Sequence, residues 1–189
     1  AIFEAVWRNL LMGTFHDDLE EDFWPRGGSR WSLAVAGMLE SPRFRVWDDS
    51  TTAAVEDRDD MLTAAFLAGV AELEEMMGGE PDDWEWGRVH GAEFRNETLG
   101  ESGVGFVESR FNRGPVPAAG GTDIVNATGW RAEEGYEVTW VPSMRMIVDL
   151  GDLDNSLAIH TTGQSGHAYN SHYQDMMEPW SMGEYFPME

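Results

Sequence analysis

Cysteine and lysine are both missing from this 189-residue chain. Without cysteine there are no disulfides, no thiolate metal sites and no thiol nucleophile, and the redox compartment is left open. Without lysine, all 12 side-chain cations are arginines, set against 35 aspartates and glutamates for a net charge of −23. Nucleic-acid binding needs a basic patch that displaces counterions from phosphates, so this balance excludes it. No apolar run reaches the roughly 18 residues that a membrane span requires. Nor is there a charged-then-apolar start of the signal-peptide kind, although a segment cut from a longer precursor would have lost one.

Hydrophobic residues make up 42% of the chain and include nine Trp and nine Phe, enough to fill a core and to exclude disorder. The length fits one domain. The acids are spread along the chain rather than gathered in a tail, the pattern of a surface adapted to high salt and hence of a halophilic host. The other reading of the acidity is a surface that meets cations or a basic partner.

Residues 1–83 read as mainly helical and residues 84–189 as strands and loops, an α+β class. Ile2, Phe3, Val6, Trp7, Leu10 and Leu11 recur at helical steps, with Gly13 as the expected stop. Trp31, Val35, Met38 and Leu39 predict a short second helix. A third is expected to start at Thr52 as N-cap, with Glu56 in its first turn and Leu62, Phe66, Val70, Leu73 and Met77 as its buried stripe, and to end at Gly78 and Gly79. From Trp84 on, the stretches at residues 84–90, 100–105 and 113–121 read as loops around short extended pieces. Residues 123–128 and 136–141 are expected strands. Met144, Met146, Val148 and Leu150 alternate with Arg145, Ile147 and Asp149, predicting a strand with one buried face, and residues 156–162 would return antiparallel. After Gly163 the chain reads as loop.

Several constellations invite a chemical reading. Ser165 in GQSGH has His167 where a nucleophile elbow needs Gly, and no helix is expected after it, so it is not read as a nucleophile. GESGVG from Gly100 fails the dinucleotide fingerprint, and RGPVPAAGG lacks the cation and hydroxyl of a phosphate loop. Asp149, Asp152 and Asp154, with Ser156, suggest a calcium loop, but Leu157 and Gly163 stand where Gly and a bidentate Glu are required. His160, His167 and His172 with Asp175 are the best metal set by composition. Their spacing favours loop-fixing hydrogen bonds instead. His90 reads as structural, the acidic run at residues 17–22 as solvated rather than metal-binding, and Asn96 and Asn126 as glycosylation acceptors only in a glycosylating host.

Four segments carry a family likeness: WEWGRVHGAEFRNETLG (84–100), FNRGPVPAAGGTDIVNAT (111–128), PSMRMIVDL (142–150) and HTTGQSGHAYNSHYQDMMEPW (160–180). In this order and spacing they resemble the closing, β-rich part of the large chain of penicillin acylases, N-terminal-nucleophile hydrolases. The resemblance implies a fragment of a four-layer αββα fold, made by self-cleavage of a precursor into a small and a large chain. It implies a large chain that begins with Ser, whose Oγ attacks a linear amide with its own α-amine as base, while backbone amides and an Asn hold the oxyanion. Substrates would be side-chain amides of β-lactams or N-acyl homoserine lactones. The motifs match scaffold positions after those groups, and position 1 here is Ala1. The expectation is therefore no catalytic, cofactor-binding or metal-ligating residue in this chain, with calcium confined to other parts of some members. Its partners would be the small chain and the earlier part of the large chain, and its exposed strand edges would invite a homo-oligomer. The family implies a periplasmic or extracellular location. The rival expectation is a non-catalytic acidic domain that binds a metal ion or basic partner through His160, His167 and His172.

Overall fold

Asp57 opens the longest helix. Its carboxylate accepts the backbone N–H groups of Asp59 and Asp60, and Asp60 returns the bond to the Asp57 N–H, a reciprocal capping box. The computed structural model, which describes residues 1–188, places five α-helices and five strands. The helices are α1 (Ile2–Phe15), α2 (Ser29–Leu39), α3 (Arg58–Met77), α4 (Gly105–Phe111) and α5 (Met177–Met182). Strands β1 (Gly91–Phe94) and β2 (Arg113–Pro117) form one antiparallel pair. Strands β3 (Met144–Ile147), β4 (Leu157–His160) and β5 (Phe186–Pro187) form an antiparallel sheet in that order. The expected α+β class holds.

The main core lies between α1, α2 and α3. Leu10, Leu11, Phe15, Val35, Trp47, Met61, Ala65, Leu73 and Met77 are buried in it, and Trp130, Ala132 and Tyr136 join from the second half. The two halves named in the sequence therefore share one core. A smaller cluster of Ala92, Ala118, Ile159 and Trp180 joins both sheets to α5, with the edge of Phe94 on the Trp180 ring at 5.7 Å.

Several expectations are corrected. Helix α1 runs through Gly13 to Phe15. An interior glycine costs only about 1 kcal/mol, and this one lies against the Met61 side chain. Helix α3 starts at Asp57, because the Thr52 hydroxyl is turned to Glu56 at 2.7 Å. Its buried stripe is Met61, Ala65, Gly69, Leu73 and Met77, one residue out of phase with the expected set at three of five positions, and Phe66 is exposed. Small residues decide that phase. A Cβ on Gly69 would lie 2.9 Å from the Ala5 carbonyl carbon and the Val6 nitrogen, so α3 meets the backbone of α1 there.

Residues 123–128 form turns, and residues 136–141 contribute only one bridge, Gly129 to Trp140. Asp123 has φ 62°, outside any strand, and its carboxylate accepts the Ser29 N–H at 2.7 Å, capping α2. Strand β2 is one of the short extended pieces expected among the loops, whereas α4, which begins at the end of the 100–105 stretch, was not expected, and the tail carries a 3-10 turn (Ser171–Tyr173), α5 and β5. Strand β3 turns its apolar side outward: Met144, Met146 and Val148 are 44–49% exposed and Leu150 is 89% exposed. Ile147, on the other side of the strand, is exposed as well, and the half-buried residue of β3 is Arg145, which pairs with Ile159, stacks its guanidinium on Trp180 and donates to the Trp180 carbonyl.

Candidate functional site

The motif-rich loop after β4 is stitched by its own polar groups. Ser165 donates its backbone N–H to the His172 carbonyl at 3.0 Å, and Ser165 Oγ accepts the His167 N–H at 3.1 Å. His167 Nδ1 accepts the Tyr169 N–H, and Asn170 Oδ1 accepts the His172 N–H. His172 Nδ1 bonds Asp175 Oδ2 at 2.7 Å. The Tyr173 hydroxyl reaches back to the Phe111 carbonyl at 2.7 Å, tying the loop to α4. Gly163 is needed because a Cβ there would collide with the His172 carbonyl oxygen. Each hydrogen bond fixes a turn, and no base is bonded to the Ser165 hydroxyl among the described residues.

His160 stands exposed at the end of β4, and the ligand atoms of the three late histidines do not converge within 4.8 Å among the described residues. The hairpin acids are also occupied. Asp149 Oδ1 accepts the Gly151 and Asp152 N–H groups, while the Asp152 carboxylate takes the Asp154 N–H and the Asn155 amide.

His90 is fully buried, stacked on Trp86 at 4.4 Å. Its Nδ1 donates to the Tyr136 carbonyl at 2.6 Å, and Nε2 meets Thr128 Oγ1 at 3.1 Å. Burial holds its imidazole below the ordinary histidine range. Asn96 and Asn126 close turns, accepting from the Leu99 N–H and donating to the Ala119 carbonyl respectively. A groove of about 440 Å³ runs between α1 and α2, walled by Phe3, Trp7, Leu10, Val35, Leu62 and Trp130. Its one titratable wall residue is Glu4, whose carboxyl is pushed up by burial.

One set of metal-ligating atoms does converge among the described residues: His16, Asp17 and Asp49, with ligand atoms all within 4.8 Å of one another. The acidic run was read as solvated, and its first member, Asp17, belongs to this set. Local spacing could not reveal it, since His16 caps the C-terminal end of α1 while Asp49 lies on the loop after the 3-10 turn Arg45–Trp47. Hydrogen bonds from the Thr51 side chain and amide hold the Asp49 carboxyl below its usual range. For Asp17, burial raises the value, but hydrogen bonds from Ser50 outweigh it and the net shift is downward.

Helices packed beside antiparallel ribbons, with polar loop groups turned to structural use, define a mixed α+β scaffold. The chain belongs to the penicillin amidase family, whose model matches residues 1–189. It is 33% identical over 216 residues to the acyl-homoserine lactone acylase QuiP of Pseudomonas aeruginosa, an alignment that takes in 100% of this chain and 24% of that protein. It is 30% identical over 192 residues to the QuiP acylase of Pseudomonas syringae pv. syringae, with 98% and 23% covered. A shorter match, 38% identical over 72 residues, joins 38% of this chain to 9% of the penicillin acylase 2 proenzyme of Pseudomonas sp. strain SE83. The chain thus spans about a quarter of the length of the QuiP relatives.

Proposed function

We propose that this chain is the supporting part of an amidohydrolase that cleaves linear amides, the side-chain amide of a β-lactam or of an N-acyl homoserine lactone. The nucleophile and the oxyanion donors come from other segments of the same enzyme. The observation that carries this reading is the family match over residues 1–189, combined with loops whose histidines, serine and acids are bound into turns. The chemistry fits an N-terminal serine in the larger protein: a free α-amine, with a pKa of about 8, can be neutral near neutral pH and take the hydroxyl proton. Export to the periplasm or beyond belongs to the same proposal.

The test is hydrolysis by the intact gene product, read as release of fatty acid from an N-acyl homoserine lactone and of carboxylic acid from a penicillin. Ser165→Ala should leave kcat unchanged within about twofold, whereas replacing the first residue of the mature large chain should abolish turnover. An intact, folded protein that leaves both amides uncut would overturn the reading. So would loss of turnover in a folded Ser165→Ala variant.

A further inference from the structure

We propose that His16, Asp17 and Asp49 hold a first-row divalent cation, zinc by preference, which staples the end of α1 to the loop that follows Trp47. The geometry carries the argument. His16 Nδ1 lies 3.0 Å from the Gly13 carbonyl oxygen, and against a carbonyl it can only donate. With Nδ1 so held, Nε2 is the ring nitrogen left to meet a cation, the arrangement of a metal-bound histidine whose other nitrogen is held by an outer-shell carbonyl. That Nε2 faces Asp49 Oδ1 at 3.6 Å.

Charge-assisted N–H···O contacts close to about 2.7–2.9 Å, as His172 and Asp175 do at 2.7 Å, whereas His16 and Asp49 stand 3.6 Å apart. Zinc fits the longer gap. Metal bonds of about 2.0–2.2 Å in a tetrahedron separate nitrogen and oxygen donors by about 3.4 Å. The cation would also reach Asp17, whose ligand atom lies within 4.8 Å of the other two. One nitrogen and two carboxylates make a three-ligand set that leaves the fourth position to water, since the His16 side chain is 37% exposed.

The surroundings support a positive charge. The C-terminal end of a helix carries partial negative charge, and His16 caps α1 there. Both carboxylates are oriented by groups outside the set, Asp17 by the Ser50 N–H on Oδ2 at 2.8 Å and Asp49 by the Thr51 N–H at 2.9 Å and hydroxyl at 2.6 Å, both on Oδ1. Glu56 binds the Asp49 N–H, and the nearest arginine in this loop, Arg45, is already paired with Asp18. An imidazole donor selects zinc and its neighbours over calcium, which prefers oxygen alone.

The experiment is calorimetric titration of zinc into the chelator-treated intact gene product, with calcium as control and thermal melts alongside. The expected result is a zinc-selective site whose affinity falls at least about tenfold in His16→Gln and in Asp49→Asn, the loss that a missing ligand shell brings. His172→Gln should bind as the wild type does, and zinc should raise the melting temperature of the wild type and of His172→Gln but not of His16→Gln or Asp49→Asn. X-ray absorption of the zinc-loaded wild type, showing one imidazole in a nitrogen and oxygen shell, tests the site without relying on a variant that folds. Zinc binding unaltered by His16→Gln, no zinc-selective binding, or a shell without imidazole would overturn the proposal and leave an ion pair only. Amide hydrolysis is not a readout here, so the acylase reading stands or falls separately.

Discussion

Gly69 sits where α3 crosses α1, and an alanine there sets two familiar effects against each other. In an exposed helix the change is worth up to about 1 kcal/mol in favour of alanine. Here the new methyl would press on the Ala5 and Val6 backbone at 2.9 Å, contacts no flexible side chain can relieve. Overpacking costs about 1–3 kcal/mol, so repulsion wins. Gly69→Ala should lower the melting temperature by several degrees in calorimetry, and a raised value would refute the close crossing. His90 gives the second prediction at this scale. Burial depresses its pKa in the folded state, so protons bind preferentially to the unfolded chain. The contribution is fully present above the unfolded value of about 6.5 and is lost as pH falls through it toward the folded one. The slope cannot exceed one proton, about 1.4 kcal/mol per pH unit. Denaturant melts from pH 7 to 5 should show His90→Gln less stable at pH 7 but with a flatter profile. Parallel profiles would mean that another group titrates.

Between elements, one polar network ties the helices to the second half of the chain. Glu72 of α3 accepts from Arg8 and Asn9 of α1, at 3.1 and 2.7 Å, and from the Tyr136 hydroxyl at 2.7 Å. Burial and then the neighbouring carboxylate push the Tyr136 hydroxyl above the usual phenol range, so it remains a donor. Tyr136→Phe removes one hydrogen bond to a charged group, a loss of about 1.5–3 kcal/mol. Glu72→Ala should cost more, because it strands three donors at once. A double-mutant cycle by urea melts should return a coupling above about 0.5 kcal/mol, and additive effects would show that the contact is idle. Neither Glu72 nor Tyr136 stood out in the sequence, for the pairing spans the chain and leaves no periodic mark. What was legible was local: helix α1 with Leu10 and Leu11 in the core, though Ile2 and Phe3 of its expected stripe are exposed, the end of α3 at Gly78 and the β3–β4 hairpin all follow from nearest-neighbour rules. The phase of α3 was not, because alanine and glycine form the contact face while larger residues draw the eye. The outward face of β3 was equally hidden, since it depends on α5 bringing Trp180 beneath Arg145. The functional stretches were legible as a family likeness but not as chemistry, because their histidines and acids serve turns. His16 and Asp49 meet only after α1 and the loop beyond Trp47 have packed.

For the whole molecule the deciding quantity is charge: 35 acids share one small chain with 12 arginines. At about 0.1 M salt the Debye length is about 10 Å, so carboxylates on neighbouring elements repel; at about 1 M it is about 3 Å and they do not. Salt also weakens attractive pairs. Here Arg26–Glu133, Arg45–Asp18 and Arg95–Glu93 have strongly exposed guanidinium groups, and exposed pairs contribute little to begin with. Repulsion relieved should therefore exceed attraction lost. The melting temperature should climb as potassium chloride is raised from about 0.1 to 1 M, a salt chosen because sulfate would strengthen apolar burial regardless of charge. Lowering the pH to neutralise carboxylates is a poorer test, since it also protonates His90. If potassium chloride lowered the melting temperature, the dispersed acids would have to be engaged in attractive contacts, and salt adaptation would give way to a surface built to meet cations.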